Sequence, residues 1–298
     1  MPGTPLPIAV VQAGPRPIGA DLGPFAADVG EHAATGARLV VYPELHLFGS
    51  ETFPPPDRNA ALRASAIGLD DPLVTELGGI ARDAGVWLVP GTICERGPAG
   101  ELFNTALCFA PDGRLAATYR KVFPWRPTEP YDPGDRFVVV DIDGTCVGID
   151  VCYDAWFPEV TRHLAWMGAE IVLNLVKTTT PDREQEVVLA RANAIVNQVF
   201  MVSVNCAGPI GRGRSIVVDP EGAVVASCAG DSEAVLRTDL DLDRVAAVRR
   251  HGTAGTNRMW AQFGPDDAPI PLPLYGGRID PATWAPLRRS GGHHDVHG

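Results

Sequence analysis

Apolar residues recur along this chain in two periods, and the switching between them outlines its elements. Runs rich in β-branched residues predict strands at Ile8–Gln12, Arg38–Tyr42, Val86–Pro90, Ile171–Leu175 and Val199–Asn205. Between them apolar residues return at helical spacing. Leu22, Phe25, Ala26, Val29 and Ala33 predict a helix over Ile18–Thr35, with Gly36 placed to cap it. Further helices are predicted over Asp57–Ile67, Pro72–Ala84 (ended by Gly85), Val160–Met167 and Arg183–Val196. Leu102–Ala110 and Leu115–Lys121 flank the turn signal Pro111-Asp112-Gly113, and Ser215–Val218 and Ala223–Ser227 flank Asp219-Pro220-Glu221-Gly222; both read as hairpins. Val235–Leu240 is the last regular element expected.

Helices separate many strands, but two hairpins force antiparallel pairs, so the sheets should be mixed. The strands outnumber what one open sheet usually holds, which predicts two sheets. No linker-like composition divides the chain before about residue 245. One domain over residues 1–285 is therefore expected, with a C-terminal extension from about 241 and a loose tail over 286–298. Leu272, Leu274, Tyr275 and Trp284 lie beyond the last expected strand and need a surface to cover.

Charge and composition narrow the function classes. With 25 Lys and Arg against 36 Asp and Glu, the net charge of -11 argues against nucleic acid or an anionic membrane as partner. Met1–Gln12 has no basic region, and its short apolar run reads as a first strand rather than a signal peptide. No stretch approaches the length of a membrane span. Six scattered cysteines without a secretory signal read as reduced thiols, which makes the cytoplasm the expected compartment. His46, His163 and His251 lack metal-ligand spacing, there is no Gly-x-Ser-x-Gly elbow, and Gly208–Gly213 does not match a phosphate loop. No cofactor or metal is expected.

The chemistry gathers at three strand ends. Glu44 follows Leu39–Pro43, Lys121 follows Ala116–Arg120, and Cys152 follows Gly148–Val151, where Pro158 forbids a continuing ladder. A strand end can expose a side chain on a rigid backbone. A thiol needs a base to become a thiolate, and the oxyanion that forms on an attacked carbonyl needs a nearby positive donor. A carboxylate, an ammonium and a thiol supply those roles without a histidine.

The stretches Val41-Tyr42-Pro43-Glu44-Leu45, Tyr119-Arg120-Lys121-Val122 and Gly148-Ile149-Asp150-Val151-Cys152-Tyr153-Asp154 resemble the three signatures of the nitrilase, or carbon-nitrogen hydrolase, superfamily. The resemblance extends over roughly residues 6–245 and includes Asn104-Thr105, Phe157-Pro158-Glu159 with Arg162, and Asn197 to Phe200 with Asn205. It implies a four-layer α-β-β-α sandwich of two mixed sheets, and a homodimer or higher homo-oligomer in which helices after Cys152 and the segment from Asp241 cross between subunits. It also implies a fourth functional position, a glutamate upstream of a Pro-Gly, which Glu129 before Pro133-Gly134 fits. Three departures stand out. Asn193-Ala194-Ile195-Val196-Asn197 replaces a commoner Arg-Ala-Ile-Glu-Asn, so a structural ion pair is missing or uses Arg191 instead. Lys177-Thr178-Thr179-Thr180 stands near a more usual proline and implies a differently shaped pocket. Tyr153 replaces the tryptophan of true nitrilases, which favours the amidase branches.

The resemblance implies hydrolysis of a small amide to acid and ammonia through a thioester. Cys152 is the expected nucleophile, Glu44 the base, Lys121 and the backbone N–H of Tyr153 the oxyanion donors, and Glu129 the residue orienting the substrate amide and steadying Lys121. Rival readings with the same triad are an N-carbamoyl amidase acting on a ureido group, and a nitrilase. A binding or assembly member of the fold without catalysis is a further alternative. Trp125, Tyr131, Trp156 and Lys177, with Arg126 and Thr178, are the pocket-lining candidates.

Overall fold

A computed structural model describes residues 5–273 and 276–279. In chain order its strands are β1 (Leu6–Gln12), β2 (Leu39–Val41), β3 (Trp87–Val89), β4 (Thr92–Arg96), β5 (Leu102–Phe109), β6 (Leu115–Arg120), β7 (Val138–Ile142), β8 (Thr145–Val151), β9 (Ile171–Val176), β10 (Phe200–Asn205), β11 (Ile216–Val218), β12 (Val224–Ser227) and β13 (Ala234–Leu240), followed by the small pair β14 (Ile270–Leu272) and β15 (Gly277–Ile279). The helices are α1 (Gly23–Ala34), α2 (Arg58–Ala64), α3 (Pro72–Ala84), α4 (Pro158–Trp166), α5 (Arg183–Asn197) and α6 (Asp243–His251).

One sheet has seven strands in the order β13-β1-β2-β3-β5-β4, with β6 paired to β5; the other has six, in the order β12-β11-β10-β9-β8-β7. Both are mixed: β1-β2-β3 and β8-β9-β10 run parallel, and hairpins such as β5-β6 and β11-β12 run antiparallel. Alternation along each strand sorts the side chains into layers. Ile8, Val10, Leu39, Val41, Val89 and Ala106 of the first sheet meet Val147, Ile149, Val151, Leu173, Leu175 and Val202 of the second in one apolar core. On the outer faces, Ala9, Val40 and Leu88 pack with Phe25 and Val29 of α1 and Leu77 and Ala81 of α3. Val172, Met201 and Val218 pack with Val160 and Leu164 of α4 and Ala190 and Ala194 of α5. The architecture is the four-layer α-β-β-α sandwich. A fully buried side chain such as Ile149 contributes about 1.5–3 kcal/mol to it.

Helix α3 has the bounds that its sequence predicts. Asp71 accepts the Leu73 N–H, Pro72 occupies the first turn, and Gly85 ends the helix at φ 66°. Other elements differ from expectation. The first helix begins at Gly23 rather than Ile18, because Pro17 bridges Gly49 and Pro24 is tolerated only in a first turn. Strand β4 was not expected from its charged end, but Glu95 there is buried against Arg120 at 2.5 Å. Leu240 does not close the regular structure: α6 follows, with only Val245 and Val248 buried. Leu272 lies half-buried in β14, whereas Leu274, Tyr275, Trp284 and the tail over 286–298 lie outside the described residues. Among the described residues no helix is long and apolar enough to cross a membrane.

Candidate active site

Two strand ends of one sheet and one of the other converge. Glu44 leaves β2 through Pro43 and is 2% exposed; Lys121 follows β6 directly and is fully buried. The Lys121 N–H donates to the Asn104 carbonyl at 2.9 Å, which fixes the lysine's backbone to β5. Cys152 follows β8 as the first residue of a 3-10 turn, Cys152–Trp156, with φ 51°. That left-handed conformation costs a non-glycine residue roughly 1–2 kcal/mol and turns the half-buried thiol out of the strand direction.

The charges interlock. Lys121 Nζ donates to Glu44 Oε1 at 3.2 Å and to Glu129 Oε1 and Oε2 at 2.8 and 2.9 Å. Asn104 Nδ2 donates to the same Glu44 Oε1 at 2.7 Å. Glu129 Oε2 also accepts the Trp125 N–H at 2.9 Å, so the loop curls around its own carboxylate. Gly134 closes this loop against β6, where a Cβ would lie 2.2 Å from the Arg120 carbonyl oxygen. Only glycine permits that approach, and it lets the Gly134 N–H donate to the Lys121 carbonyl at 2.8 Å.

Burial alone would push the Lys121 ammonium down, but Glu44, Cys152 and Glu129 outweigh it and hold the group well above its ordinary value. Burial pushes Glu129 up; Lys121 opposes this, and the Glu44 charge adds to it. Burial and then the Glu44 charge push the Cys152 thiol well up, against the pull of Lys121. Forming the thiolate there is therefore opposed by burial and by the Glu44 charge and favoured by Lys121, which is where a base beside the sulfur would act. An ammonium this deeply buried is sustained only by its flanking carboxylates, since each isolated ion would cost several kcal/mol.

Two buried polar arrangements hold the thiol's turn. Asp154 accepts from the Val151 N–H at 3.0 Å, the Tyr119 hydroxyl at 2.8 Å and the Phe123 N–H at 2.8 Å. One carboxylate thus ties the cysteine's turn to the strand and loop on either side of Lys121. Burial raises Asp154 to about 6. Beneath the turn, Asn174 donates to Asp150 Oδ1 at 2.5 Å and to the Cys152 carbonyl at 3.5 Å. Ser203 donates to Asn174 at 3.0 Å, and Arg183 donates to Ser203 at 3.1 Å and to Glu186 at 3.0 Å. The buried ion pair of this region is therefore Arg183–Glu186. Arg191 instead donates to the Gly222 carbonyl at 3.0 Å, which corrects the role expected for it.

The thiol opens into a cavity of about 50 Å³ lined by Trp125, Glu129, Tyr153, Trp156, Lys177, Thr178, Thr179, Thr180, Asp182 and Glu186. Of the pocket-lining candidates, Trp125, Trp156, Lys177 and Thr178 are on its wall. Tyr131 is not. It is 4% exposed in the outer apolar core, its hydroxyl 3.4 Å from Cys94 Sγ, and it borders a recess lined also by Asn59 and Arg63 of α2 and by Arg126. An aromatic residue in a Pro-rich loop has no periodicity to show which way it points. Glu51, Asp182 and Glu186 carry no sequence signal either, yet Asp182 and Glu186 line the cavity and Glu51 pairs with the lysine on its wall. Lys177 Nζ lies 2.7 Å from Glu51, and Thr178 donates to Glu186 at 2.7 Å.

A formamidase of Pseudomonas syringae pv. tomato is 30% identical over 77% of this chain and 67% of its own length. A 2-oxoglutaramate amidase of Paenarthrobacter nicotinovorans is 35% identical over 76% of this chain and 81% of its own. An amidase of Nesterenkonia sp. AN1, solved as a glutamate-to-glutamine variant with the acetamide moiety of fluoroacetamide added covalently to its active-site cysteine, superposes with a TM-score of 0.69 at 28% identity over 83% of this chain and 95% of its own. The carbon-nitrogen hydrolase family model matches residues 7–250, and the chain belongs to that family of hydrolases, in the amidase-like branch of the nitrilase superfamily.

Proposed function

We propose that the protein hydrolyses a small amide to acid and ammonia through a thioester on Cys152. The observation that carries this reading is the buried Glu44–Lys121–Glu129 cluster, which meets the Cys152 thiol at a strand end held in the left-handed conformation. Glu44 takes the thiol proton as sulfur attacks the amide carbon, and the carbonyl π electrons move onto oxygen. Lys121 and the Tyr153 N–H stabilise that oxyanion; one such donor is worth about 2.7–4 kcal/mol. Protonated Glu44 returns its proton to the amide nitrogen as the C–N bond breaks, and ammonia leaves. Water then gives a proton to Glu44 as its oxygen attacks the thioester, and the C–S bond breaks to release the acid and restore the thiol. Glu129 accepts from the substrate's amide N–H groups while holding Lys121 in place.

The relatives support an amide substrate. One is named for formamide and one for 2-oxoglutaramate, and the covalent adduct in the Nesterenkonia amidase shows that protein's cysteine to be reactive. The test is ammonia release from short amides by wild type and Cys152→Ala, with acid-quenched wild type examined by mass spectrometry for an acyl group on the Cys152 peptide. Turnover should vanish in the variant, and the acyl mass should appear during turnover. Retention of activity within about tenfold, roughly 1.4 kcal/mol of barrier, excludes a covalent step at that sulfur.

A further inference from the structure

Lys177 is a cation on the wall of the catalytic cavity, on the segment that departs from the family's usual sequence. Left free, a nearly buried ammonium there would attract any substrate carrying a carboxylate. It is not free. Glu51, from the loop after β2, meets its Nζ at 2.7 Å, and both side chains are mostly buried, 11% and 18% exposed. Of the other cations near the cavity, Lys121 is engaged by Glu44 and Glu129 and Arg183 by Glu186, and the exposed Arg212 donates to the Thr179 carbonyl. Asp182 adds a further carboxylate to the lining, with the Thr180 hydroxyl as its donor. Carboxylates therefore outnumber cations around the thiol, and an entering anion would meet like charge, with the lysine on the cavity wall already paired.

We infer that Glu51 is a specificity-determining residue: by pairing with Lys177 it reserves the cavity for small amides that carry no carboxylate. The inference rests on the amidase reading above, adds to it the charge class of the substrate, and sets this chain apart from the relative named for 2-oxoglutaramate, an amide that carries a carboxylate. Glu51 lies just beyond the first signature stretch but in none of the three, so it can set selectivity while the thiol chemistry stays the same.

The experiment compares butyramide with succinamic acid, which keeps the four-carbon chain and adds a carboxylate at its far end. Wild type should favour butyramide in kcat/KM by more than about tenfold. Glu51→Gln, which unpairs Lys177 with little change of shape, should narrow that ratio at least tenfold. Adding Lys177→Met to Glu51→Gln should restore the wild-type preference, because the cation that receives the carboxylate is gone. Should Glu51→Gln not fold, the wild-type ratio and the double variant decide. The inference is overturned if wild type takes succinamic acid as well as butyramide, since the substrate would then displace Glu51. It is also overturned if folded Glu51→Gln keeps the wild-type ratio. If no amide is hydrolysed at all, the amidase reading fails instead. Calorimetric binding of the two compounds to Cys152→Ala, and to the same protein carrying Glu51→Gln, still reads the discrimination without turnover.

Discussion

Asn104 and Lys121 donate to the same oxygen of Glu44: Asn104 Nδ2 reaches Oε1 at 2.7 Å and Lys121 Nζ reaches it at 3.2 Å. With Oε1 held by two donors, Oε2 is the oxygen left for proton transfer in the proposed mechanism. Asn104 is thus a positioning residue, acting through Glu44 from the neighbouring strand β5.

Asn104→Ala removes a hydrogen bond to a charged acceptor, worth about 1.5–3 kcal/mol. The expected outcome is a fall in kcat of about 10- to 150-fold with KM little moved. Asn104→Asp should fare worse, because it sets a second carboxylate against Glu44. A KM effect with kcat intact would place Asn104 in substrate binding instead.

The Glu44 charge raises the Cys152 thiol, second only to burial, and Lys121 opposes it. Glu44→Gln removes the raising charge and leaves the lowering one. The thiol pKa should therefore fall in the variant even as amide turnover is lost. Ultraviolet thiolate absorbance against pH measures it, with Cys152→Ala as the blank. A thiol pKa that stays or rises would mean that Glu44 is not electrostatically coupled to the sulfur and cannot be its base.

These couplings show where the chain could be read in advance. The three strand ends were legible because each signature is local: an apolar run, a breaker, then one charged or nucleophilic residue. Helix α3 was legible for the same reason, through Asp71, Pro72 and Gly85. What escaped depends on residues far apart in sequence. Lys177 pairs with Glu51, Glu95 with Arg120, and Tyr131 with Cys94, and no period or spacing marks such partners. Helix α6 escaped because a mostly solvated helix carries too few apolar positions to show a stripe.

Asp154 predicts a signed pH effect. Its folded pKa, about 6, lies above the ordinary aspartate value of 3.8. Between those values the unfolded chain has lost the proton that the folded protein keeps. The group's stabilising contribution is therefore complete below the lower value and is lost as pH rises through about 6, an effect of about 3 kcal/mol. Unfolding free energies of wild type and Asp154→Asn, taken at about pH 4 and about pH 7, should show the wild type losing that amount relative to the variant. A gain instead would assign the carboxylate a depressed pKa, with its three donors outweighing burial.

The last prediction concerns assembly. Helix α5 leaves Val188, Ile195 and Val196 at 65%, 43% and 45% exposure, and the neighbouring strand β12 leaves Val224 and Val225 at 46% and 42%. The two elements are fastened together, since Arg191 of α5 donates to the Gly222 carbonyl in the turn before β12. Scattered apolar residues on a surface need no explanation, but several on one fastened edge do. This helix follows the thiol's turn, where the family resemblance expects subunits to meet, and it carries the Arg183–Glu186 pair behind the cavity. A homodimer across this edge would cover the valines and brace the cavity wall from outside. Val188→Glu and Ile195→Glu place charges on the solvated face of α5, so the fold should survive. Light scattering at micromolar concentration should then show a monomer where wild type is a dimer or larger. If the variants keep the wild-type mass, subunits do not meet on α5; if wild type is itself a monomer, the valines are simply exposed.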